Sequence, residues 1–336
     1  MADNVEQVAA QLTALVRAKT GDTGARAHSL ASLPGHAGFS YSFVLERSDG
    51  GTPAGNFVVR IAPPGVKISG PADIVRQARV MASLADTAVA VPPVIWYGDE
   101  AEFFGRPYFV GGFINGFKLG ESTLPVAHLK RLARKGIETM AALHNVAWEP
   151  RREAWGEPFA LSEELKRLDY LLDRPTLDPA VVARAPELRQ RLRSSLPDGA
   201  RIGCVHGDFQ WSNVLFNEER VVALIDWEIS MVGATLLDLG WICFFSDQGS
   251  WVGPDIGGRG ALLGPDEIVD TYAQAAGFPV SKSEVQWFRA FAGYRFGVIT
   301  CFNVMLHRRG KRDDPLWEET ALSAPRMFEH GLELLG

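Results

Sequence analysis

Apolar residues recur in this chain first at helical spacing, then in short strand-like runs, and then at helical spacing again. Val5, Val8, Leu12, Leu15 and Val16 fall on one face of a helix. Residues 33–46 read as strand, glycine-containing turn and strand. A Gly-, Ser- and Pro-rich turn at 48–56 leads to a strand at 57–61. A loop occupies 63–71, and Ile74, Ala78, Met81 and Leu84 give 73–84 a helical period. Strands at 94–97 and 107–110 flank an acidic turn. Beyond Gly111 and Gly112 the pattern is largely helical. It runs through Leu129, Leu132, Ile137, Met140 and Leu143 in 127–146, then through 163–173, 186–195, 265–276 and 283–304. The reading is α+β, with a β-rich N-terminal lobe at 1–111 and a mainly helical C-terminal lobe at 112–336.

Composition narrows the class. With 336 residues, 46% of them hydrophobic, the chain can bury a large core in one or two domains. A formal net charge of −6 argues against nucleic acid held mainly through its phosphates. Cys204, Cys243 and Cys301 stand apart among apolar neighbours with no CxxC, which points to a reducing compartment and not to zinc or disulfides. The N-terminus lacks a signal-peptide pattern, and no apolar run approaches the roughly 18 residues of a membrane span. The expectation is a cytoplasmic protein with neither membrane nor nucleic acid as partner, monomeric or homodimeric.

Residues 206–228, HGDFQWSNVLFNEERVVALIDWE, concentrate the polar chemistry. A short apolar run at 214–216, a polar turn at 217–220 and a β-branched-rich run at 221–225 predict a hairpin. Adjacent strands lie about 4.8 Å apart, so the two arms bring Asn213 and Asp226 to one open end. Asp208, five residues before Asn213, lies in the loop feeding that corner. Two carboxylates and an amide around Mg²⁺ are what phosphoryl transfer from ATP requires, because the reaction needs neutralised phosphates and an oriented hydroxyl. Asp208 is the candidate catalytic residue: its carboxylate accepts a bond from the substrate hydroxyl, aims that oxygen at the γ-phosphorus and takes the proton.

HGDxxxxN followed by IDWE resembles the aminoglycoside phosphotransferase and choline kinase superfamily, small-molecule kinases with a two-lobed protein-kinase-like fold. The spacing from Asp208 to Asn213 equals that of the protein-kinase D-x-x-x-x-N loop, and Asp226 stands where the DFG aspartate would. The longer string IDWEISMVGATLLDLGW is similar to the branch of kinase domains fused to some acyl-CoA dehydrogenases. The resemblance runs from about Leu33 to about Phe302.

That resemblance implies ATP and Mg²⁺ as cofactors, with Asn213 and Asp226 as metal ligands. Gly35, Gly38 and Ser40 in GHAGFS would form the nucleotide-covering loop. Arg60, at the end of FVVR, would grip phosphate where a protein kinase has lysine. Gly111, Gly112 and Phe113 would be the hinge that meets adenine through its backbone. His206 is expected to brace the loop through a ring-to-backbone hydrogen bond, and Asp238 to support it without binding metal. Gln210 replaces a charged lysine, and Glu228 either tunes the site or pairs with a base.

The chain departs from the family at three places. Gln77 takes the position of the helical glutamate that should hold the phosphate-binding cation, leaving Arg60 to hydrogen bonds or to another carboxylate such as Asp73. The hinge is Gly-Gly, and the frequent GDP is Gly233-Ala234-Thr235. The leading expectation is transfer of the ATP γ-phosphate to a hydroxyl of a small metabolite, a hydroxyacyl-CoA or another hydroxylated acyl or aromatic compound. An aminoglycoside or macrolide antibiotic is the second. Acidic Asp313, Asp314, Glu318 and Glu319 adjoin the basic run 307–312, HRRGKR, so no polycation pocket stands out. That run is either a solvated helix end or a grip on an anionic group of the substrate. A nucleotide-binding pseudokinase is the third.

Overall fold

In the computed structural model, residues 5–33, 39–65, 70, 73–99, 102–174, 177–253, 262–311 and 313–336 are described. The elements begin with α1 (Val5–Thr20), β1 (Arg26–Ser32), β2 (Phe39–Glu46), β3 (Gly55–Ile61), α2 (Ile74–Ser83), β4 (Val94–Gly98) and β5 (Tyr108–Gly112). They continue with α3 (Val126–His144), α4 (Arg152–Trp155), α5 (Leu161–Leu172), α6 (Ala185–Ser194), β6 (Ile202–Val205), β7 (Val214–Phe216), β8 (Val221–Leu224) and β9 (Met231–Ala234). The last are α7 (Leu236–Ser246), α8 (Pro265–Ala276), α9 (Lys282–Arg308), α10 (Leu316–Ala321) and α11 (Ala324–Leu335).

The chain divides into two compact units. One is Met1–Gly116 with Glu153–Trp155 and Val222–Ser230; the other is Phe117–Arg152, Gly156–Val221 and Met231–Gly336.

In the first unit five antiparallel strands form one sheet in the order β1-β2-β3-β5-β4. Alternation along the strands sends Phe43, Leu45, Phe57, Val59, Ile61, Tyr108 and Val110 to one face, where they pack with Val8, Leu12, Leu15 and Val16 of α1. The first strand lies at Arg26–Ser32, ahead of the 33–46 span expected for the first strand pair. It is an edge strand whose one buried residue is Ala27, so it carries no alternating apolar signal. Ser29, at φ 55°, marks a bulge in its pairing with β2. Asp73 caps α2 by accepting the Arg76 N–H at 2.9 Å, a contact worth about 1 kcal/mol.

In the second unit α3, α5, α6 and α8 lie within two residues of the expected spans, and α9 runs further, to Arg308. At about 1.5 Å per residue α9 is roughly 40 Å long and forms the spine of the unit. Helix α7 packs beside it so closely that a Cβ on Gly240 would come within 2.5 Å of the Phe288 carbonyl. All eleven residues of α7 are buried, so it has no polar face and its sequence carries no helical period. No helix of the described residues is long and apolar enough to cross a membrane.

Candidate active site

Arg60 enters its site through strand register. It lies on β3 opposite Ser40 of β2 and Phe109 of β5, and strand alternation turns it away from the face that Val59 and Ile61 bury. Its side chain is 14% exposed. Nη1 donates to Asp226 Oδ1 at 3.2 Å, and Nη2 donates to Glu228 Oε1. Glu228 is therefore a carboxyl partner of Arg60, which answers the question left by the glutamine at position 77. Asp73, the carboxylate suggested for that purpose, is the cap of α2. Burial, opposed by Arg60 and reinforced by the adjacent Asp226 carboxylate, pushes the Glu228 carboxyl up to about 7.

Asp226 adopts the left-handed region, φ 71° and ψ 57°. Such a backbone costs a non-glycine residue about 1–2 kcal/mol and persists where the surroundings over-determine it. Contacts of Trp227, Ser230 and Arg76 do so here. The Trp227 indole N–H donates to Leu224 O at 2.9 Å, and its ring meets Trp155 edge-on at 6.2 Å. Ser230 Oγ donates to Trp227 O at 2.8 Å. Arg76 of α2 donates to Ser230 O at 2.9 Å and to Glu228 O at 2.5 Å. Arg76 was not singled out from the sequence; an arginine on the polar side of an amphipathic helix reads as solvated.

Gly35 and Gly38 lie outside the described residues, and Ser40 is in β2. Gly111 and Gly112 end β5. The Gly112 N–H donates to Pro93 O at 2.8 Å, and the Phe113 N–H donates to Asn56 O at 3.1 Å. A Cβ on Gly112 would stand 2.7 Å from Pro93 Cγ, so this glycine serves a close approach within the unit.

In the second unit β6 and β9 pair antiparallel, with Val205 opposite Met231, and deliver the chain to His206. The buried Asp238 of α7 accepts the His206 and Gly207 N–H groups, each at 2.7 Å, on separate oxygens. His144 Nε2 lies 3.1 Å from Asp238 Oδ2, and His144 Nδ1 lies 2.7 Å from the Tyr272 hydroxyl. A carboxylate with no exposure needs this many donors. Gly207 turns the loop at φ 85°, and Arg295 donates to its carbonyl at 3.2 Å. His206, fully buried, accepts the Asp208 N–H on Nδ1 at 3.3 Å and meets Phe209 edge-on. Asp238 and His206 thus support the loop in the way the motif suggests.

Asp208 emerges half-buried from this support. Its Oδ1 accepts from Trp241 Nε1 at 2.8 Å and its Oδ2 from Asn213 Nδ2 at 3.0 Å. Gln210 Nε2 lies 3.0 and 3.1 Å from the two oxygens. Asn213 Nδ2 also donates to Asp208 O at 2.9 Å. With its nitrogen committed there, the Asn213 amide oxygen accepts no side-chain hydrogen bond among the described residues. Trp241 and Arg295 were missed in the sequence, although Trp241 closes the quoted DLGW. A tryptophan in an all-apolar run reads as core.

The available donors suit a hard cation. In the second unit Asn213 offers a neutral oxygen, and in the first unit Asp226, 45% exposed, offers a carboxylate, both of them ligand types that a hard cation such as Mg²⁺ takes. The basic run at the end of α9 is partly neutralised, since Arg308 pairs with Glu318 at 2.7 and 2.8 Å; Arg312 lies outside the described residues.

Residues 37–285 match the model of the APH phosphotransferase enzyme family. Acyl-CoA dehydrogenase family member 11 of Gallus gallus is 25% identical over 293 residues, covering 83% of this chain and 37% of that protein. The chain thus spans little more than a third of that relative's length. A solved Ralstonia eutropha JMP134 structure superposes with a TM-score of 0.77 at 20% identity, covering 97% of both chains. A thermostable mutant of aminoglycoside phosphotransferase APH(4)-Ia, solved with ADP and hygromycin B, gives 0.62 at 16% identity over 96% of this chain and 98% of that one. These likenesses show a kinase-like fold, a β-rich lobe followed by a helical one. The family model covers about three quarters of the chain, and the protein belongs to the APH phosphotransferase family.

Proposed function

We propose that the protein transfers the γ-phosphoryl group of ATP, with Mg²⁺, to a hydroxyl of a small molecule. The observation that carries this reading is the state of the 206–213 loop. Asp208 is presented by a buried, hydrogen-bonded support, while Asn213 is anchored through its nitrogen and keeps its oxygen for a cation. When bound, Mg²⁺ would neutralise the phosphate charge that builds up during transfer. Asn213 and Asp226, on the two arms of one hairpin sequence, are its proposed protein ligands.

Arg60 binds phosphate oxygens, which its planar guanidinium can grip in pairs. Asp208 accepts a hydrogen bond from the acceptor hydroxyl and orients its oxygen toward the γ-phosphorus. As that oxygen bonds to phosphorus, the bond to the bridging oxygen of ADP breaks and the hydroxyl proton passes to Asp208. Backbone groups of the 111–113 hinge are proposed to hold adenine, although the Gly112 and Phe113 N–H groups already bond within the unit.

A hydroxylated acyl or aromatic compound, including a hydroxyacyl-CoA, is the preferred acceptor. Likeness to acyl-CoA dehydrogenase family member 11 supports it. An aminoglycoside is the second reading, favoured by the likeness to APH(4)-Ia. The test is a side-by-side screen of hydroxyacyl-CoAs, hydroxylated aromatics and aminoglycosides, scored by ATP-dependent mass gain of one phosphoryl group. A gain on one class identifies the acceptor. Nucleotide binding without ADP release on any of them would overturn the enzymatic reading in favour of a pseudokinase.

A further inference from the structure

An ionised carboxylate offers about four lone-pair directions. On Asp208 all four are taken: Trp241 and Gln210 reach Oδ1, and Asn213 and Gln210 reach Oδ2. An acceptor hydroxyl that donates to Asp208 must therefore replace one of these donors.

The three are held with very different firmness. Asn213 is buried and bonds the Asp208 carbonyl as well as its carboxylate. Trp241 is 4% exposed, with its ring 5.1 Å from Phe245 and edge-on to Phe296 at 5.8 Å. The Arg295 guanidinium covers it at 4.7 Å from the ring centroid. Arg295 is itself buried, lies 3.4 Å from Glu164 and donates to Gly207 O. Glu164 in turn takes Arg167 on both oxygens, at 2.8 and 2.6 Å. Gln210, by contrast, is half-buried and makes no other side-chain hydrogen bond among the described residues.

We infer that Trp241 is a positioning residue for Asp208, clamped by Arg295, and that Gln210 is the donor an acceptor hydroxyl replaces. The inference rests on the phosphotransferase reading proposed above. An indole is a rigid donor with no acceptor capacity, so its N–H fixes one lone pair of Oδ1 and with it the plane of the carboxylate. One guanidinium holds both that ring and the carbonyl of the residue before Asp208. Backbone and side chain of the base are thereby referred to the same buried group. Gln210 shields the carboxylate until a hydroxyl takes its place.

Two measurements test this. The first is kinetic, with water as acceptor and ADP release from Mg·ATP as the signal. Trp241→Phe removes the N–H while keeping an aromatic ring, and should lower kcat on the order of tenfold with the KM for ATP within about twofold. Arg295→Met should move kcat in the same direction, and it carries the test should Trp241→Phe not fold. An unchanged kcat, or a loss matched by a rise in KM for ATP, overturns the role. Gln210→Met should retain more turnover than Trp241→Phe, and an equal or larger loss overturns its assignment as the replaceable donor.

The second measurement is independent of turnover. In protein labelled with ¹⁵N at its nine tryptophans, the indole resonance that disappears in Trp241→Phe belongs to Trp241. Asp208→Ala should shift that resonance, and an unmoved signal removes the contact. If the wild-type protein releases no ADP with water or with any acceptor, the phosphotransferase reading fails, while the indole signal still decides the Trp241–Asp208 contact.

Discussion

Arg60 of β3 donates to the carboxylate of Glu228, which stands two residues beyond Asp226, and the same guanidinium reaches Asp226. The cation proposed for phosphate and the carboxylate proposed for metal thus share one hydrogen-bonded cluster. Arg76 fixes the backbone on which that cluster sits. Arg60→Met should weaken Mg·ATP binding by about 10- to 100-fold, because a charge-assisted contact to phosphate is worth about 1.5–3 kcal/mol. Arg60→Lys should fall between, since it keeps the charge but loses the paired geometry. Calorimetry with Mg·ATP checks both, and equal affinities across the three proteins would remove Arg60 from the nucleotide site.

Asp208→Asn keeps the side-chain shape and one acceptor oxygen but removes the proposed base. ATP affinity should stay near wild type, while phosphoryl transfer drops by about 10²–10⁴-fold. Turnover at the wild-type rate would take Asp208 out of the mechanism.

Asp226→Ala deletes one of the two proposed protein ligands to the metal. ATP affinity measured with Mg²⁺ should fall, and affinity measured with a chelator present should change much less. If the Mg²⁺-dependent part of the affinity survives intact, the metal lies elsewhere.

Away from the site, Asp247 anchors the end of α7. It accepts from Arg289 at 2.5 Å, from His330 at 2.8 Å and from the Gly249 N–H at 2.8 Å. Burial opposes its ionisation, but the His330 and Gly249 hydrogen bonds and the Arg289 charge outweigh it and hold the carboxyl at about 2. A carboxyl depressed on folding adds stability that is complete above its unfolded value, about 3.9, and is lost as pH falls through its folded one. Asp247→Asn should therefore cost about 1–2 kcal/mol at pH 7, after allowance for solvent screening. The difference from wild type should shrink between pH 4 and pH 2. Denaturant unfolding across that range is the check, and a pH-independent difference would contradict the assignment.

Gly240 lets α7 approach the α9 backbone closely. Alanine there would press on the Phe288 backbone, which cannot swing aside as a side chain would. Gly240→Ala should destabilise the protein by about 1–3 kcal/mol in thermal melting. An unchanged midpoint would mean that the two helices separate easily.

Much of this was legible along the chain because it depends on local pattern. Apolar period marked α2, α3, α5, α6, α8 and α9, and the HGD and IDWE strings marked the loop and the strand pair around 206–228. The elements that escaped are those whose pattern is erased by their surroundings. Strand β1 buries little, and α7 is buried on every side. Strands β6 and β9, four residues each, are too short for their alternation to register. Helix α11 is a different case, since Met327, Phe328, Gly331 and Leu332 do recur on one buried face.

What the sequence by itself determined is the identity and spacing of the groups proposed to do chemistry: Asp208, Asn213, Asp226 and the cation Arg60. It also determined the order of a β-rich part followed by helices, since spacing and periodicity are properties of neighbours along the chain. Only the tertiary structure decided which partners hold those groups. The Glu228–Arg60 pair joins residues 168 positions apart, Trp241 reaches Asp208 across 33, and Arg295 reaches Gly207 across 88. Hydrogen bonds of that range follow from how sheets and helices pack, and no local pattern encodes them.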